Sequence, residues 1–264
     1  MTSTPPFPAP GPGPEPLVSI ITPSYNYAAY LQQAIRSVTD QTYRNIELIV
    51  CDDCSKDNSY QIALDEAQKD PRITVLRNDT NLGISKTRQR LLENCRGKYV
   101  GHLDCDDFLE RYAVEEMLRV FEKDSVLALI YSDSAYVDQA GKVTGYKTEI
   151  DYSYQNLVAL GWRHFGMYKR DLALKYGGIN TKIVSGCDDG DLFMKLAYRH
   201  RCFHLAKVLY YYRCHDNNSS RTNKKCETCE EKPDCNYISI WSKVVKEFFP
   251  DHPLPGESAD PPKV

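Results

Sequence analysis

Two groups of aspartates stand out because paired carboxylates can hold a cation or accept a proton. Asp104 and Asp106 form a D-x-D motif, and Asp107 follows directly. Converging carboxylates repel each other, and a divalent cation that prefers oxygen ligands, Mg²⁺ or Mn²⁺, relieves that repulsion. Such an ion also accepts phosphate oxygens from a substrate. The motif therefore predicts a clamp for a metal ion and a diphosphate, with a solvated acidic turn as the alternative.

The second acidic group consists of Asp188, Asp189 and Asp191, at the start of a segment that then turns apolar at helical spacing. Aspartate is common at helix N-termini, where it caps the first turn and favours the positive end of the dipole. Capping alone needs fewer carboxylates than this. One of these side chains is therefore a candidate general base for a hydroxyl group.

The cysteines indicate a reducing compartment. The chain has 10 of them, and its N-terminus lacks the apolar core of an export signal, so we expect no disulfide framework. Cys51 and Cys54 form a C-x-x-C pair around two aspartates, Asp52 and Asp53. Cys51 ends an apolar run, where a small apolar side chain suffices. We interpret this pair as incidental and the acids between the sulfurs as the informative residues.

A second cysteine cluster has better spacing for zinc. Cys226, Cys229 and Cys235 follow Cys214 in a polar segment. Cys-x-x-Cys with a third cysteine nearby is typical of structural zinc sites. Cys214, His215 or His204 could supply the fourth ligand. The hypothesis is a structural Zn²⁺ site, with idle thiols and a redox pair as alternatives.

Apolar segments of strand and helix character alternate four times from Leu17 onward. This alternation predicts an α/β fold with a mostly parallel central sheet and helices on both faces. Ligands of such sheets bind beyond the carboxyl ends of the strands, where Asp53 and Asp104 follow apolar runs. Side chains alternate along a strand, so Asp104 and Asp106 are expected to point the same way. The predicted strands are 17–22, 46–51, 73–78 and 98–104, and the predicted helices are 28–41, 59–70 and 84–95.

The alternation loosens after Phe108. Helical spacing and turn residues still predict further elements, although not their order in the sheet. The predicted helices are 113–124, 171–178 and 188–201, and the predicted strands are 127–138, 141–148 and 203–213.

Charge and hydropathy exclude other classes of protein. The net charge of −3 argues against nucleic acid as a partner, since phosphate binding needs a basic face. No apolar run approaches the about 20 residues that span a bilayer, so we expect no transmembrane segment. The predicted location is cytoplasmic, free or peripheral at a membrane.

Four segments resemble a known family in the order that the family has them. They are 18–59 with TPSYN and DDCS, 81–107 ending in HLDCDD, GCDDGDLFMKL, and VLYYYRCHDNNSS. Together they resemble the inverting glycosyltransferases of family 2, which have the GT-A fold. The resemblance covers about residues 17–220 and leaves a C-terminal cysteine-containing extension outside it.

The resemblance implies a nucleotide pocket at the strand ends. Asp53 would bind a ring N–H of the base, and Asp104 would meet the ribose or the water shell of a metal ion. Arg88 would lie by the nucleotide, although this chain has Thr87 and Gln89 where the family has Ala and Asn. Cys54 stands where the family often has glycine. The implied nucleotide-binding residues are Thr22, Pro23, Tyr25, Asp53, Arg88 and Asp104, with Tyr25 near a uracil ring.

The resemblance also implies the chemistry. Asp106 and His215 would bind Mn²⁺ or Mg²⁺ at the diphosphate. Asp189 would be the base, with Asp188 and Asp191 as the other candidates. The base would deprotonate an acceptor hydroxyl, which attacks the anomeric carbon from the face opposite the leaving group and inverts its configuration.

The acceptor half is the less informative part of the sequence. Trp162 and His164 are expected to face a saccharide, lipid-linked or protein acceptor, with a place in the core as the alternative. A role in polysaccharide biosynthesis, with UDP as the expected nucleotide, follows from the resemblance.

The predicted divisions are a disordered Pro-rich tail (1–16), a nucleotide-sugar-binding half (17–108), an acceptor-binding and catalytic half (109–220), and a cysteine-containing extension with a polar tail (221–264).

Two rival functions remain open at this point. A nucleotidyltransferase on a related α/β sheet also uses paired carboxylates, but it would carry a Gly-rich basic loop after the first strand. The segment TPSYNY (22–27) has neither Gly nor Lys. The other rival is a catalytically silent module that binds a metal or a partner through its cysteines.

Overall fold

A computed structural model describes residues 15–149, 151, 165–182, 188–216 and 218. The strands are β1 (Val18–Ser24), β2 (Ile46–Asp52), β3 (Ile73–Arg77), β4 (Tyr99–His102), β5 (Phe108–Leu109), β6 (Leu129–Val137), β7 (Val143–Lys147), β8 (Gly166–Lys169) and β9 (Cys202–Arg213). The helices are α1 (Ala28–Thr39), α2 (Ser59–Ala67), α3 (Ile84–Asn94), α4 (Ala113–Lys123), α5 (Arg170–Lys175) and α6 (Asp188–Arg199).

All of these strands belong to one sheet with the order β3-β2-β1-β4-β8-β6-β9-β5, and β7 pairs with β6. β1 lies between β2 and β4 and is parallel to both. Its register places Thr22 beside Val50 and Ser24 beside Asp52. The carboxyl ends of β1 and β2 therefore meet at one edge, as the alternating sequence pattern predicts.

Successive apolar side chains of the parallel strands point to opposite faces of the sheet, and both faces are buried. Leu48 and Val50 pack in a core cluster with residues of α1, α2 and α4. Ile49 and Cys51 point the other way, into a cluster with residues of α3, α5 and α6. The prediction of helices on both faces is confirmed.

The second half of the chain adds antiparallel strands to this sheet. β8 is antiparallel to both β4 and β6, whereas β9 runs parallel to β6. Gly166 in β8 allows α6 to pack closely, because a Cβ there would lie 2.7 Å from the Phe193 ring. This close contact packs Phe193 of α6 directly against β8.

One sequence-based expectation about the D-x-D motif is wrong. β4 ends at His102, so Asp104 and Asp106 lie in a turn and do not share a strand face. The Asp107 amide donates to the Asp104 carbonyl at 3.2 Å. The two carboxylates consequently have different partners.

Among the described residues, no helix combines the length and the apolar character that a membrane crossing requires. The Pro-rich residues 1–14 and the segment after residue 218 lie outside the described residues.

Candidate active site

A buried arginine joins the two acidic groups. Arg88 projects from α3, and its side chain is only 3% exposed. One terminal nitrogen (Nη1) donates to Asp188 Oδ1 at 3.0 Å, and the other (Nη2) donates to Asp104. Asp189 Oδ2 lies 3.6 Å from the first of these nitrogens. The structure therefore places Arg88 against an aspartate 100 positions away in the sequence as well as against one 16 positions away.

Asp189 has the environment of a general base. Burial raises the pKa of this carboxyl to about 7, with Arg88 opposing the rise and Asp188 and Asp104 adding to it. The Gly190 amide donates to its Oδ1 at 2.8 Å. A pKa near the working pH suits a group that must accept a proton in the reaction.

The other two candidates on α6 are held differently. The Asp188 side chain is fully buried, while that of Asp189 is 19% exposed. Asp191 Oδ2 lies 2.5 Å from Lys195 Nζ, one helical turn further on. Exposure therefore favours Asp189 among the three as the carboxylate that an acceptor can reach.

Asp106 faces a histidine instead of an arginine. His215 Nε2 lies 3.0 Å from Asp106 Oδ2, and the imidazole stacks on Tyr30 with ring centroids 5.1 Å apart. Burial raises the pKa of Asp106, the hydrogen bond from His215 lowers it, and the charge of Asp104 raises it further. The sequence-predicted metal residues are thus brought together.

No cluster of three or more His, Cys, Asp or Glu side chains that could hold a metal ion occurs in the described part of the chain. Asp106 and His215 supply one carboxylate oxygen and one imidazole nitrogen. Mg²⁺ and Mn²⁺ take few protein ligands where waters and substrate phosphate complete the shell. This donor set fits such an ion.

Tyr210 and Arg213, to which the sequence analysis gave no role, fix the D-x-D turn. Arg213 Nε donates to the Asp106 carbonyl at 2.8 Å, and the buried guanidinium also lies over the Tyr30 ring. Asp107 accepts hydrogen bonds from the Tyr210 hydroxyl at 2.6 Å and the Arg213 amide at 2.7 Å. The only hint in the sequence was Arg213 two positions before His215.

Asp53 directly follows β2 and braces a loop. Its carboxylate accepts hydrogen bonds from Asn78 Nδ2 at 2.7 Å and from the amides of Leu82 at 2.8 Å and Gly83 at 2.9 Å. A carboxylate has about four acceptor positions. Donors among the described residues fill three of these positions, and Asp53 is only 4% exposed.

Buried polar atoms without partners surround this end of the sheet. Thr22 Oγ1, Ser24 Oγ and Asp52 Oδ1 form no hydrogen bond with the described residues. Such atoms are rare in folded proteins, and a bound ligand or water would satisfy them. Pro23 is buried beside them, and Tyr25 is 37% exposed.

The local environments of the two C-x-x-C cysteines, Cys51 and Cys54, differ. Cys51 is buried, which raises the pKa of its thiol to about 11. Cys54 has a left-handed backbone with a φ of 64°, a conformation that favours glycine. Both are free thiols.

The remaining sequence-predicted residues are mostly outside the described part of the chain. This holds for Cys226, Cys229, Cys235, Trp162 and His164. The zinc and acceptor hypotheses therefore stay predictions.

Two of the three candidates for a fourth zinc ligand already have partners. His215 faces Asp106, and both ring nitrogens of His204 face carboxylates, those of Asp133 at 2.8 Å and Asp151 at 2.9 Å. Cys214 is a partly buried free thiol.

The sheet topology and the acidic residues at its edge define an α/β protein with a ligand site at the strand ends. The model of the family described as "Glycosyl transferase family 2" matches residues 19–177. The chain belongs to this family.

Curated relatives include a chondroitin synthase from Escherichia coli, 35% identical over 208 residues, which are 78% of this chain and 30% of the relative. A hyaluronan synthase from Pasteurella multocida is 34% identical over 208 residues, 78% of this chain and 21% of the relative. The chain thus spans less than a third of the length of these relatives.

Solved structures share the fold at low identity. S. aureus TarS 1–349 in complex with UDP-GlcNAc has a TM-score of 0.67 at 18% identity and covers 87% of this chain and 66% of its own. The mannosyltransferase PcManGT from Pyrobaculum calidifontis, in complex with GDP-Man and Mn²⁺, has a TM-score of 0.61 at 17% identity and covers 91% of this chain and 66% of its own. The expected family and GT-A fold are confirmed, and the comparisons favour neither rival function.

Proposed function

We propose that this chain is an inverting glycosyltransferase that moves a sugar from a nucleotide sugar to an acceptor hydroxyl. The observation that carries the proposal is the position of Asp189, partly exposed beside buried Arg88 and close to the D-x-D turn. Family membership and the names of the synthase relatives support the same reaction.

The donor is proposed to occupy the strand ends of β1 and β2. Thr22, Pro23, Tyr25 and Asp53 would contact the nucleoside, and Asp104 the ribose. UDP is the expected nucleotide, in keeping with the UDP-GlcNAc complex of TarS, whereas the GDP-Man complex of PcManGT makes GDP the alternative to test.

A divalent ion fits the pair of Asp106 and His215. The neighbouring mannosyltransferase structure with Mn²⁺ supports Mn²⁺ or Mg²⁺ for this chain. When bound, the ion would neutralise negative charge on the leaving diphosphate. Arg213 and Asp107 keep the turn that carries Asp106 in place through the hydrogen bonds given above.

Asp189 is proposed to accept the proton of the attacking hydroxyl. The C–O bond between sugar and acceptor forms as the bond between the anomeric carbon and the diphosphate oxygen breaks. The proton moves to Asp189, and the bonding electrons leave with the nucleoside diphosphate. Backside attack in one step inverts the anomeric configuration.

The acceptor is proposed to be a saccharide in polysaccharide synthesis, because the curated relatives are named as chondroitin and hyaluronan synthases. Lipid-linked and protein acceptors are the alternatives. Trp162 and His164 remain the proposed acceptor contacts. The location, cytoplasmic or peripheral at a membrane, and the division at residue 108 stay predictions.

A panel of UDP- and GDP-sugars tests the function. The purified chain is incubated with Mn²⁺, with and without saccharide acceptors, beside the Asp189→Asn variant. Release of nucleoside diphosphate by the wild type alone supports glycosyl transfer. Release of pyrophosphate from a nucleoside triphosphate and a sugar phosphate would instead indicate a nucleotidyltransferase, and no turnover of any donor would contradict the proposal.

A further inference from the structure

Both terminal nitrogens of Arg88 are paired with protein carboxylates. Its terminal nitrogens contact Asp104, Asp188 and Asp189, and its Nε is buried without a hydrogen-bond partner among the described residues. A side chain only 3% exposed has little surface left for a nucleotide. The family resemblance, in contrast, implies a nucleotide contact for this residue.

The contacts of Arg88 join two parts of the site that no strand pairing connects directly. Asp104 belongs to the turn after β4, and Asp188 and Asp189 belong to the first turn of α6. A guanidinium presents its donors in a fixed fork, so two carboxylates bound to it are held at a fixed spacing. Lysine has the same charge but no fork.

Arg88 itself is anchored through the start of α3. Asn78 Nδ2 donates to both Asp53 Oδ1 at 2.7 Å and Thr87 Oγ1 at 3.0 Å. Asp53 also accepts from the Gly83 amide at the residue before the helix. Contacts therefore run from Asp53, which is proposed to bind the nucleobase, through α3 to Arg88.

We propose that Arg88 is a positioning residue that holds the general base Asp189 at a fixed place relative to Asp104, and that it does not bind the nucleotide. The proposal rests on the proposed function for its kinetic consequences. Its structural part, the bridge between the two acidic segments, is independent of the substrate.

Without the guanidinium, Asp104, Asp188 and Asp189 would face one another without a counter-charge. Like charges at short range repel, so we expect the spacing between the first turn of α6 and the D-x-D turn to change. A misplacement of about 1 Å at a reacting group costs about 10²-fold in rate.

The Arg88→Lys variant separates positioning from nucleotide binding. We expect kcat to fall about 10²-fold while the Kd for UDP or GDP, measured by calorimetry with Mn²⁺, stays at the wild-type value. Arg96→Lys is the matched control, because Arg96 forms a two-pronged pair with Glu47 outside the site, at 2.9 and 2.8 Å. A raised Kd would show that Arg88 binds the nucleotide and would overturn the proposal, as would an unchanged kcat.

A double-mutant cycle tests the bridge without any substrate. The unfolding free energies of Arg88→Gln, Asp188→Asn and the double variant are measured in urea. We expect the double variant to be more stable than the sum of the single effects predicts, since removing Asp188 relieves the carboxylate that Arg88→Gln leaves unpaired. A double variant that folds where Arg88→Gln alone does not would give the same answer. Additive effects would overturn the bridge.

The two proposals fail in different ways. A wild-type chain that turns over no nucleotide sugar contradicts the glycosyltransferase function, and the cycle still decides the bridge. An active wild type whose Arg88→Lys variant is equally active contradicts only the role of Arg88.

Discussion

Asp106 and Asp189 are both mostly buried aspartates at the same edge of the sheet, with side chains 13% and 19% exposed, and burial raises the pKa of each. They differ in the partner. Asp106 faces the imidazole of His215 at 3.0 Å, and Asp189 lies 3.6 Å from the guanidinium of Arg88.

The difference in partner separates their chemistry. Neutral imidazole is a metal ligand, so the Asp106–His215 pair can exchange its hydrogen bond for a shared cation. Arginine keeps its proton and cannot bind a cation, so Arg88 can only favour the ionised form of a neighbouring carboxyl. We infer that one aspartate serves the leaving group and the other serves the nucleophile.

The largest expected effect is on the base. Asp189→Asn should lower kcat by about 10²- to 10⁴-fold, because an amide cannot accept the hydroxyl proton. Steady-state kinetics with the best donor measures it. Asp191→Asn is the comparison, and it should retain more activity because Asp191 is paired with Lys195. Near-normal turnover of Asp189→Asn would show that another group is the base.

The second prediction concerns the proposed metal site at Asp106 and His215. We expect EDTA to stop transfer and Mn²⁺ or Mg²⁺ to restore it. Loss of even an outer partner of a metal ligand costs about 10- to 100-fold in metal affinity. His215→Ala should therefore raise the Mn²⁺ concentration for half-maximal activity by at least about tenfold. Full activity in EDTA would break the proposed division of roles.

The pH dependence should follow Asp189. Its pKa is raised to about 7, so the protonated, inactive form dominates below that pH and the ionised base dominates above it. We therefore expect kcat/KM to rise with pH through about 7. An acidic limb near pH 4, the range of an ordinary carboxyl, would contradict this assignment.

The smallest effect concerns a residue that touches neither aspartate. Cys54 has a φ of 64°, and relief of a left-handed backbone outweighs the greater flexibility of glycine. Cys54→Gly should raise the free energy of unfolding by about 0.5–1 kcal/mol, measured in urea. Its kcat should be unchanged, and a large loss of activity would give the C-x-x-C thiols a role that they lack here.

Short sequence segments predicted the parallel half of the sheet, because the spacing of apolar residues and the polar residues at strand ends are local features. Local features also singled out Asp106 and Asp189 as candidate site residues. They did not reveal that β8 pairs antiparallel with β4, since sheet order depends on contacts far apart in sequence. The contacts of Arg88 and Arg213 were hidden for the same reason: Arg88 meets Asp188 100 positions away, and Arg213 meets the D-x-D turn 107 positions away.

Calorimetric titration of UDP or GDP into Asp106→Asn and Asp189→Asn, with and without Mn²⁺, tests the division between the two aspartates most directly. We predict that Asp189→Asn binds nucleotide like the wild type and that Mn²⁺ strengthens its binding. Asp106→Asn should lose the strengthening by Mn²⁺. Equal dependence on Mn²⁺ in both variants, or its loss from Asp189→Asn alone, would contradict the account.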